Sequence, residues 1–249
     1  MKLNIYNKFN NLKDRIINAI YPNTIRCIFC GDELTKNNRN FTCENCYNSL
    51  PLISASCDRC GLPMEDRFNG ICPDCRRNNY FFNRAVSVFV YKDEVVNVVH
   101  KMKYNSVPDL ADKLANFLVE AYARLDVNAD IITFVPMHKE KQKTRGYNQA
   151  ELLAKFVAGK FKIPCLDLTY KIKDNPTQTA LGFKERKENI KNVFEFNSVY
   201  KPDIKNKTIL LIDDIFTTGA TCNELTKIIK NAGAKAVFVL TLARSIVDV

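Results

Sequence analysis

The chain has 249 residues, 46% of them hydrophobic, so it can bury a core large enough for one large domain or two modest ones. No window holds the roughly 18 uninterrupted apolar residues of a membrane span, and charged residues interrupt the N-terminal apolar positions, unlike a secretory signal. We therefore expect a cytoplasmic protein that is not integral to a membrane. Its net charge of +10 favours an anionic ligand.

Apolar residues recur at helical spacing close to the N-terminus, at Phe9, Leu12, Ile16, Ile17 and Ile20. This spacing predicts an amphipathic helix within residues 1–22. Such a stripe packs on its own protein or lies on a lipid surface, so peripheral membrane contact stays open.

Eight of the ten cysteines form four pairs, each with two residues between its members, and gaps of 12, 10 and 11 residues separate the pairs. The pairs are Cys27/Cys30, Cys43/Cys46, Cys57/Cys60 and Cys72/Cys75. A two-residue gap lets one tight turn aim both thiolates at a tetrahedral ion, and two such turns complete a four-sulfur site. Residues 23–80 are therefore predicted to form a double zinc ribbon that holds two zinc ions.

Several points about the ribbons stay open at this stage. Sequential pairing needs only short loops, but a cross-braced arrangement also satisfies eight sulfurs. A redox pair or an iron–sulfur cluster is a weaker interpretation, because four evenly spaced pairs lack the strand and helix of a thioredoxin-like unit. The ribbons either brace a fold or contact nucleic acid. Charge and stacking surfaces for single-stranded nucleic acid would come from Arg59, Arg67, Arg76, Arg77, Phe41, Tyr47 and Phe68.

After residue 80, apolar strands alternate with helical stretches, which predicts an α/β domain over residues 81–249 with a mainly parallel sheet and helices on both faces. The predicted strands are Arg84–Tyr91, Ile131–Val135, Thr208–Ile212 and Ala236–Leu242. Three helices are predicted: one contains Leu110–Ala121, a second begins near Asn148, and a third spans Thr221–Asn231. The basic stretches Lys139–Arg145 and Lys171–Lys191 are interpreted as loops beside a phosphate site.

The segment between the strand Thr208–Ile212 and its helix carries the strongest chemical signal. It reads Asp213, Asp214, Ile215, Phe216, Thr217, Thr218, Gly219, Ala220, Thr221. Ligands of open α/β sheets gather beyond the carboxyl ends of the strands. Backbone N–H groups of Thr218–Thr221 at a helix N-terminus can cradle a phosphate, and two adjacent carboxylates suit ribose hydroxyls or magnesium. Together these features indicate a ribose 5-phosphate site.

Other classes of phosphate site fit this segment less well. The chain lacks the Gly-x-x-x-x-Gly-Lys of a nucleotide P-loop and the Gly-x-Gly-x-x-Gly of a dinucleotide fold. A phosphoacceptor domain would also place acids after a strand, but it leaves the threonine-rich turn unexplained. A purely structural capped helix is the remaining alternative.

The segment Ile209–Thr221 resembles the phosphoribosyl-diphosphate signature of type I phosphoribosyltransferases. Further motifs occur in the order typical of the ComF/GntX family, which also has four cysteine pairs at its front. These motifs are His100–Tyr104, Val135–His138, Arg145–Gln149, Gln178 with Arg186 and Asn189, and Leu240–Arg244. The resemblance covers nearly the whole chain from Cys27 to Arg244.

The resemblance implies roles for particular residues. It implies that the ribose hydroxyls lie on Asp213 and Asp214, and that the 5-phosphate lies on the segment from Ile215 to Thr221, chiefly Thr217, Thr218, Gly219, Ala220 and Thr221. Diphosphate-loop candidates are Pro136, Met137, His138, Lys141 and Arg145. The stretch Thr177–Asn189 corresponds to a mobile loop over the site, and the candidate catalytic residues are Asp213, Asp214 and Arg186.

The resemblance also implies 5-phosphoribosyl 1-diphosphate as ligand, with magnesium, and a role in competence: the handling of single-stranded DNA during uptake, with competence-machinery proteins as candidate partners. Two other hypotheses stay open. One is an active phosphoribosyltransferase that acts on an unidentified acceptor and releases diphosphate. The other is a regulator that senses ribose phosphate.

Overall fold

A computed structural model of the protein describes residues 26–34, 38–65, 70–104, 108–173, 190 and 192–246. The predicted N-terminal helix, Arg67, Phe68 and the stretch Thr177–Asn189 lie outside these residues. Two compact units divide the chain, Met1–Ser49 and Leu50–Val249. Within the described part, no helix is long and apolar enough to cross a membrane.

The described residues form six β-strands and seven α-helices. The strands are β1 (Arg84–Val90), β2 (Ile131–Phe134), β3 (Thr169–Lys171), β4 (Phe194–Phe196), β5 (Thr208–Phe216) and β6 (Ala236–Arg244). The helices are α1 (Glu44–Ser49), α2 (Pro73–Arg77), α3 (Asp93–Tyr104), α4 (Pro108–Tyr122), α5 (Lys139–Arg145), α6 (Gln149–Phe161) and α7 (Ala220–Asn231). Short 3-10 turns lie at Arg39–Phe41, Ala123–Leu125 and Ser198–Tyr200.

The main sheet belongs to the second unit and has the strand order β1-β6-β5-β2, with every neighbouring pair parallel. A separate two-stranded antiparallel ladder joins β3 to β4. The four strands of the main sheet are those that the apolar runs predict. The expected α/β fold with a parallel sheet is therefore confirmed.

Helices cover the sheet because its strands are apolar on both faces. Ile209 and Leu211 of β5 belong to a buried cluster with Leu225 and Ile229 of α7. Alternate strand residues point to opposite faces, so the equally buried Leu210 faces away from that cluster. Helices α4 and α6 pack against β6 and β5 and against each other.

Strand β5 is longer than the sequence predicts, since it continues past Ile212 to Phe216. The extra residues pair with β6, where Asp213 lies beside Thr241 and Phe216 beside Arg244. The ladder with β2 ends earlier, at Phe134 and Ile212. The acidic pair therefore lies on an extended strand end that β6 supports and that projects beyond the β2 ladder.

The interpretation of Lys139–Arg145 as a loop is wrong, because these residues form helix α5. The side chain of His138 caps the helix start, and a Glu140–Lys143 ion pair of 2.9 Å spans its first turn. Gly146, with a φ of 87°, ends it. Local capping thus outweighs the high charge density that suggested a loop.

The second ribbon, which carries the cysteine pairs Cys57/Cys60 and Cys72/Cys75, packs directly into the core of the second unit. Cys57, Cys60 and Cys72 share the buried cluster of β5 and α7. Gly61 has a φ of 66° and lies so close to β1 that a β-carbon there would meet the Ala85 carbonyl oxygen at 2.7 Å. Glycine is therefore required where this ribbon contacts the sheet.

Candidate functional site

The eight paired cysteines gather into two four-sulfur clusters. One contains Cys27, Cys30, Cys43 and Cys46, and the other contains Cys57, Cys60, Cys72 and Cys75; in each, the sulfur atoms lie within 4.8 Å of one another. This is the sequential arrangement, not the cross-braced one. Four converging thiols with two-residue spacing fit a tetrahedral zinc ion, so the chain has two zinc-type sites.

Backbone N–H groups support the sulfur atoms of both clusters. In the first unit, the Cys43 N–H donates to Cys27 Sγ at 3.4 Å. In the second unit, the Cys72 N–H donates to Cys57 Sγ at 3.2 Å. Burial alone would raise the pKa of Cys27, but hydrogen bonds from neighbouring backbone groups lower that pKa to about 7. Such donors favour thiolates, which are the metal-binding form.

The clusters differ in exposure. Cys30 of the first cluster is exposed and its partners Cys43 and Cys46 are partly so. In the second cluster, Cys57 and Cys60 have no exposed surface. The second centre is thus enclosed by the fold, whereas the first is open to solvent.

The turn after β5, residues 217–219, leads into α7 with Gly219 at the N-cap position. Gly219 has a φ of 75°, and a β-carbon there would overlap the Phe216 ring, which makes glycine necessary. The Ala220 N–H donates to Thr218 Oγ1 at 3.3 Å. The first N–H groups of a helix have no partner within the helix, and here they sit beside threonine hydroxyls, an arrangement suited to a phosphate.

The acidic pair immediately precedes this turn. Asp214 Oδ2 forms an ion pair with Lys103 Nζ of α3 at 2.7 Å, and both side chains are largely buried. Asp213 Oδ1 instead accepts a hydrogen bond from the Asp214 N–H at 2.8 Å. The two carboxylates therefore have different surroundings.

These surroundings separate the pKa values of the two acids. Burial, reinforced by the charge of Asp214, raises the pKa of Asp213 well above its ordinary value. Burial would raise the pKa of Asp214 as well, but the charge and hydrogen bond of Lys103 outweigh it and lower that pKa. Asp214 is therefore the more acidic member of the pair.

Two side chains, those of Arg244 and Tyr80, contact the backbone carbonyl groups of the turn. Arg244, the last residue of β6, donates from Nη1 to the Thr217 carbonyl at 2.7 Å, and its guanidinium carbon lies 4.3 Å from the centre of the Phe216 ring. The hydroxyl of Tyr80 lies 3.4 Å from the Thr218 carbonyl. Both contacts fix backbone carbonyls, which orients the N–H groups of the same turn toward the opposite side.

The Pro136–His138 segment follows β2, the neighbour of β5. The Val135 N–H donates to the Ile212 carbonyl at 3.0 Å, so this segment leaves the sheet beside the acidic pair. The structure thus brings Pro136, Met137 and His138 to the same sheet edge as Asp213.

The remaining predicted site residues have structural contacts. His138 Nδ1 accepts from the Glu140 N–H at 3.4 Å, and Asn148 caps α6 through the Ala150 N–H. Arg145 donates to Gln149 Oε1 at 2.8 Å. Lys141 lies in helix α5, and Arg186 and Gln178 lie outside the described residues.

The sequence pattern did not assign roles to three residues that the fold brings to this site. The sequence left Lys103 open as either a surface residue or a site residue, placed Arg244 in a motif without a role, and did not single out Tyr80. The sequence does contain a signal for Arg244, because this charged residue is the last of nine residues in an otherwise mostly apolar strand. A cation at such a position needs a buried partner.

Comparisons with known proteins agree with this architecture. The family model for the double zinc ribbon domain matches residues 16–76, and that for the phosphoribosyl transferase domain matches residues 148–247. Competence protein F of Haemophilus influenzae is 29% identical over 229 residues, covering 88% of this chain and 97% of that protein.

Two further matches are a bacterial protein and a solved structure. The DNA utilization protein YhgH of Salmonella typhimurium is 27% identical over 210 residues, covering 82% of this chain and 90% of that protein. A solved allosteric regulatory enzyme of purine biosynthesis matches with a TM-score of 0.38 and 19% identity, covering 57% of this chain and 29% of that one. The chain is thus a ComF-like protein, in which a double zinc ribbon precedes a phosphoribosyl transferase domain.

Proposed function

We propose that the chain binds 5-phosphoribosyl 1-diphosphate together with magnesium, and that it acts in the handling of single-stranded DNA during DNA uptake. One observation supports this choice of ligand most directly: an acidic pair near the end of β5 comes just before a glycine-centred turn and a helix N-terminus. The two chemistries that a ribose 5-phosphate needs are therefore a few residues apart.

Each part of the ligand has a counterpart in this arrangement. The 5-phosphate accepts hydrogen bonds from the N–H groups and hydroxyls of Thr217–Thr221. The ribose hydroxyls donate to Asp213 and Asp214, which are acceptors when ionised. The diphosphate extends toward Pro136–His138 at the end of β2, with Lys141 and Arg145 of helix α5 as candidate cations.

Lys103 has a part in this proposal because it neutralises Asp214 in the ligand-free site. When the ribose binds, Lys103 favours the ionised form of Asp214, which accepts a hydrogen bond from a ribose hydroxyl. Magnesium, when bound with the ligand, would offset the charge of the diphosphate, since it is usually held by one or two carboxylates plus phosphate oxygens.

Calorimetry with the full chain tests the ligand. The native protein should bind 5-phosphoribosyl 1-diphosphate in magnesium buffer, and Asp213→Asn/Asp214→Asn should lose most of that affinity while keeping its fold. The control is Glu151→Gln, which removes a carboxylate of an exposed pair on α6. Native protein that shows no heat of binding would rule out the ligand.

The same samples distinguish a binding protein from a transferase. A transferase would release diphosphate when a base or amine acceptor is supplied, with the acidic pair required. A binding protein would take up the ligand without release. Diphosphate release with any acceptor would show that the protein is a transferase and not only a binding protein.

The role in DNA handling is supported by the names of its relatives, a competence protein and a DNA utilization protein, and by the net charge of +10. One surface of the second unit adds chemical support. The Phe81 side chain is 47% exposed. Lys230 Nζ donates to the Phe81 backbone carbonyl at 2.7 Å, and Arg59 Nη2 donates to the carbonyl of the preceding residue, Tyr80. An exposed aromatic residue whose backbone segment contacts two cations suits a stacked base and its phosphate.

Salt titration with a fluorescent single-stranded oligonucleotide tests this part. Binding should weaken steeply as salt rises, and Phe81→Ala should weaken it further at every salt concentration. Val199→Ala is the control, because Val199 is 74% exposed and apolar but has no aromatic ring on which a base could stack. Absence of binding at low salt would exclude direct DNA contact.

A further inference from the structure

We infer that Arg244 and Tyr80 are positioning residues that form a relay between the second cysteine cluster and the turn at residues 217–219. Through this relay the cluster holds the turn in its phosphate-binding conformation. Ligand affinity then depends on the second metal centre and not on the first. This inference rests on the proposed ribose-phosphate site and adds to it a means of control.

Arg244 connects the cluster to the turn directly. Its Nη1 donates to the Thr217 carbonyl at 2.7 Å, and its Nη2 lies 3.8 Å from Cys60 Sγ, within hydrogen-bond range for sulfur. The residue is only 6% exposed. One rigid guanidinium thus joins a metal-ligand sulfur to the first residue of the turn.

Charge explains why the connection needs the metal. A buried guanidinium needs a compensating anion, and the described structure gives Arg244 a sulfur, a carbonyl and an aromatic ring, with no ion pair to a carboxylate. Four thiolates outweigh the charge of one zinc ion, so a loaded cluster is anionic. The loaded cluster therefore supplies the counter-charge that keeps Arg244 in place.

Tyr80 makes a second connection to the next residue of the turn. Its hydroxyl lies between the Thr218 carbonyl, at 3.4 Å, and Asp74 Oδ2, at 3.1 Å. Asp74 stands between the ligands Cys72 and Cys75. The path from the cluster to Thr218 is therefore short and runs through polar contacts.

Aromatic packing couples the two connections. Tyr80 stacks on Phe82 with ring centres 4.8 Å apart, and Phe82 meets Phe216 edge-on at 5.8 Å. Phe216 is the ring that Arg244 covers and that excludes a side chain at position 219. Movement of the second ribbon would thus disturb the turn at Thr217, Thr218 and Gly219 together.

Two conservative variants test the relay in the full chain. Arg244→Lys cannot reach the carbonyl and the sulfur at once, and Tyr80→Phe removes one hydroxyl. Each should keep two zinc ions per chain and weaken ribose 5-phosphate and 5-phosphoribosyl 1-diphosphate by the same factor, about three- to tenfold. Equal factors are expected because both ligands share the 5-phosphate. A change confined to the diphosphate compound would contradict the relay.

Arg124→Lys is the matched control, since Arg124 also donates to two carbonyls, those of Ile53 and Ser87, but away from the turn. It should alter thermal stability without altering ligand affinity. If native protein binds ligand and both relay variants bind equally well, the inference is wrong while the proposed function stands.

Hydrogen exchange tests the relay without any ligand. Arg244→Lys should speed exchange of the amides of residues 217–221 about tenfold, with α4 unchanged as internal reference. Unchanged exchange at the turn would overturn the inference even if the protein binds no ribose phosphate.

Removal of each cluster completes the comparison. Cys72→Ser/Cys75→Ser should release one zinc ion, speed exchange at the turn and weaken ribose 5-phosphate. Cys27→Ser/Cys30→Ser should also release one ion but leave both properties unchanged. An equal effect of the two double variants on affinity would contradict control by the second centre.

Discussion

Lys103 Nζ and Asp214 Oδ2 lie 2.7 Å apart, and they join helix α3 to the acidic end of strand β5. The pair gives Asp214 a lowered pKa while Asp213, one residue earlier, has a raised one. The two neighbouring carboxyl groups therefore differ in acidity, and this difference has measurable consequences.

Lys103→Met should lower the free energy of unfolding by about 1–3 kcal/mol, because it leaves Asp214 largely buried without its cation. Urea unfolding in ligand-free buffer measures this loss. Lys155→Met removes the cation of the exposed Glu151 pair and should cost less than about 0.5 kcal/mol. Equal losses in the two variants would show that the largely buried Lys103–Asp214 pair contributes no more to stability than an exposed pair.

Asp213→Asn should raise the melting temperature of the ligand-free protein, and the gain should grow with pH. The folded-state pKa of Asp213 lies above its unfolded value, so the native protein loses stability as pH rises from the ordinary carboxyl range toward the raised pKa. Asparagine removes this dependence. Calorimetric scans between about pH 5 and pH 8 measure it, and a difference that shrinks with rising pH would contradict the assignment.

Gly219→Ala should destabilise the protein by about 1–3 kcal/mol and weaken phosphate binding, because its φ of 75° disfavours alanine and the new β-carbon would overlap Phe216. Gly159→Ala is the control. That glycine lies within α6 with open space around it, so alanine there should stabilise by about 0.5–1 kcal/mol. Chemical unfolding of the two variants should give opposite signs.

Zinc should leave the chain in two kinetic phases when a colorimetric chelator is added. The first cluster has an exposed cysteine, whereas three ligands of the second are buried, so the first ion should leave faster. Cys27→Ser/Cys30→Ser should lack the fast phase and retain the slow one. A single phase in the native chain would show that burial does not govern release.

Sequence reasoning reached those features that local patterns encode. Apolar runs predicted the four parallel strands, the two-residue cysteine gaps predicted two four-sulfur clusters, and Gly219 after Asp213 and Asp214 predicted a turn at a strand end. The assignment of ligand contacts to these residues stays a prediction. It could be made because the acids and the turn are contiguous in sequence.

The features that sequence reasoning missed depend on distant contacts. Lys103 lies more than one hundred residues before Asp214, and Cys60 lies 184 residues before Arg244. No local periodicity encodes such pairs. The error at Lys139–Arg145 had a local cause, because charge density was weighed above the capping of a short helix by His138 and Gly146.

The acidic end of β5 and the turn before α7 are most directly tested by a crystal structure of the full chain grown with 5-phosphoribosyl 1-diphosphate and magnesium. We predict the 5-phosphate on the N–H groups of Thr218–Thr221 and the ribose hydroxyls on Asp213 and Asp214. A turn that is empty, or filled by its own side chains, in crystals that hold the ligand elsewhere would contradict the proposed site.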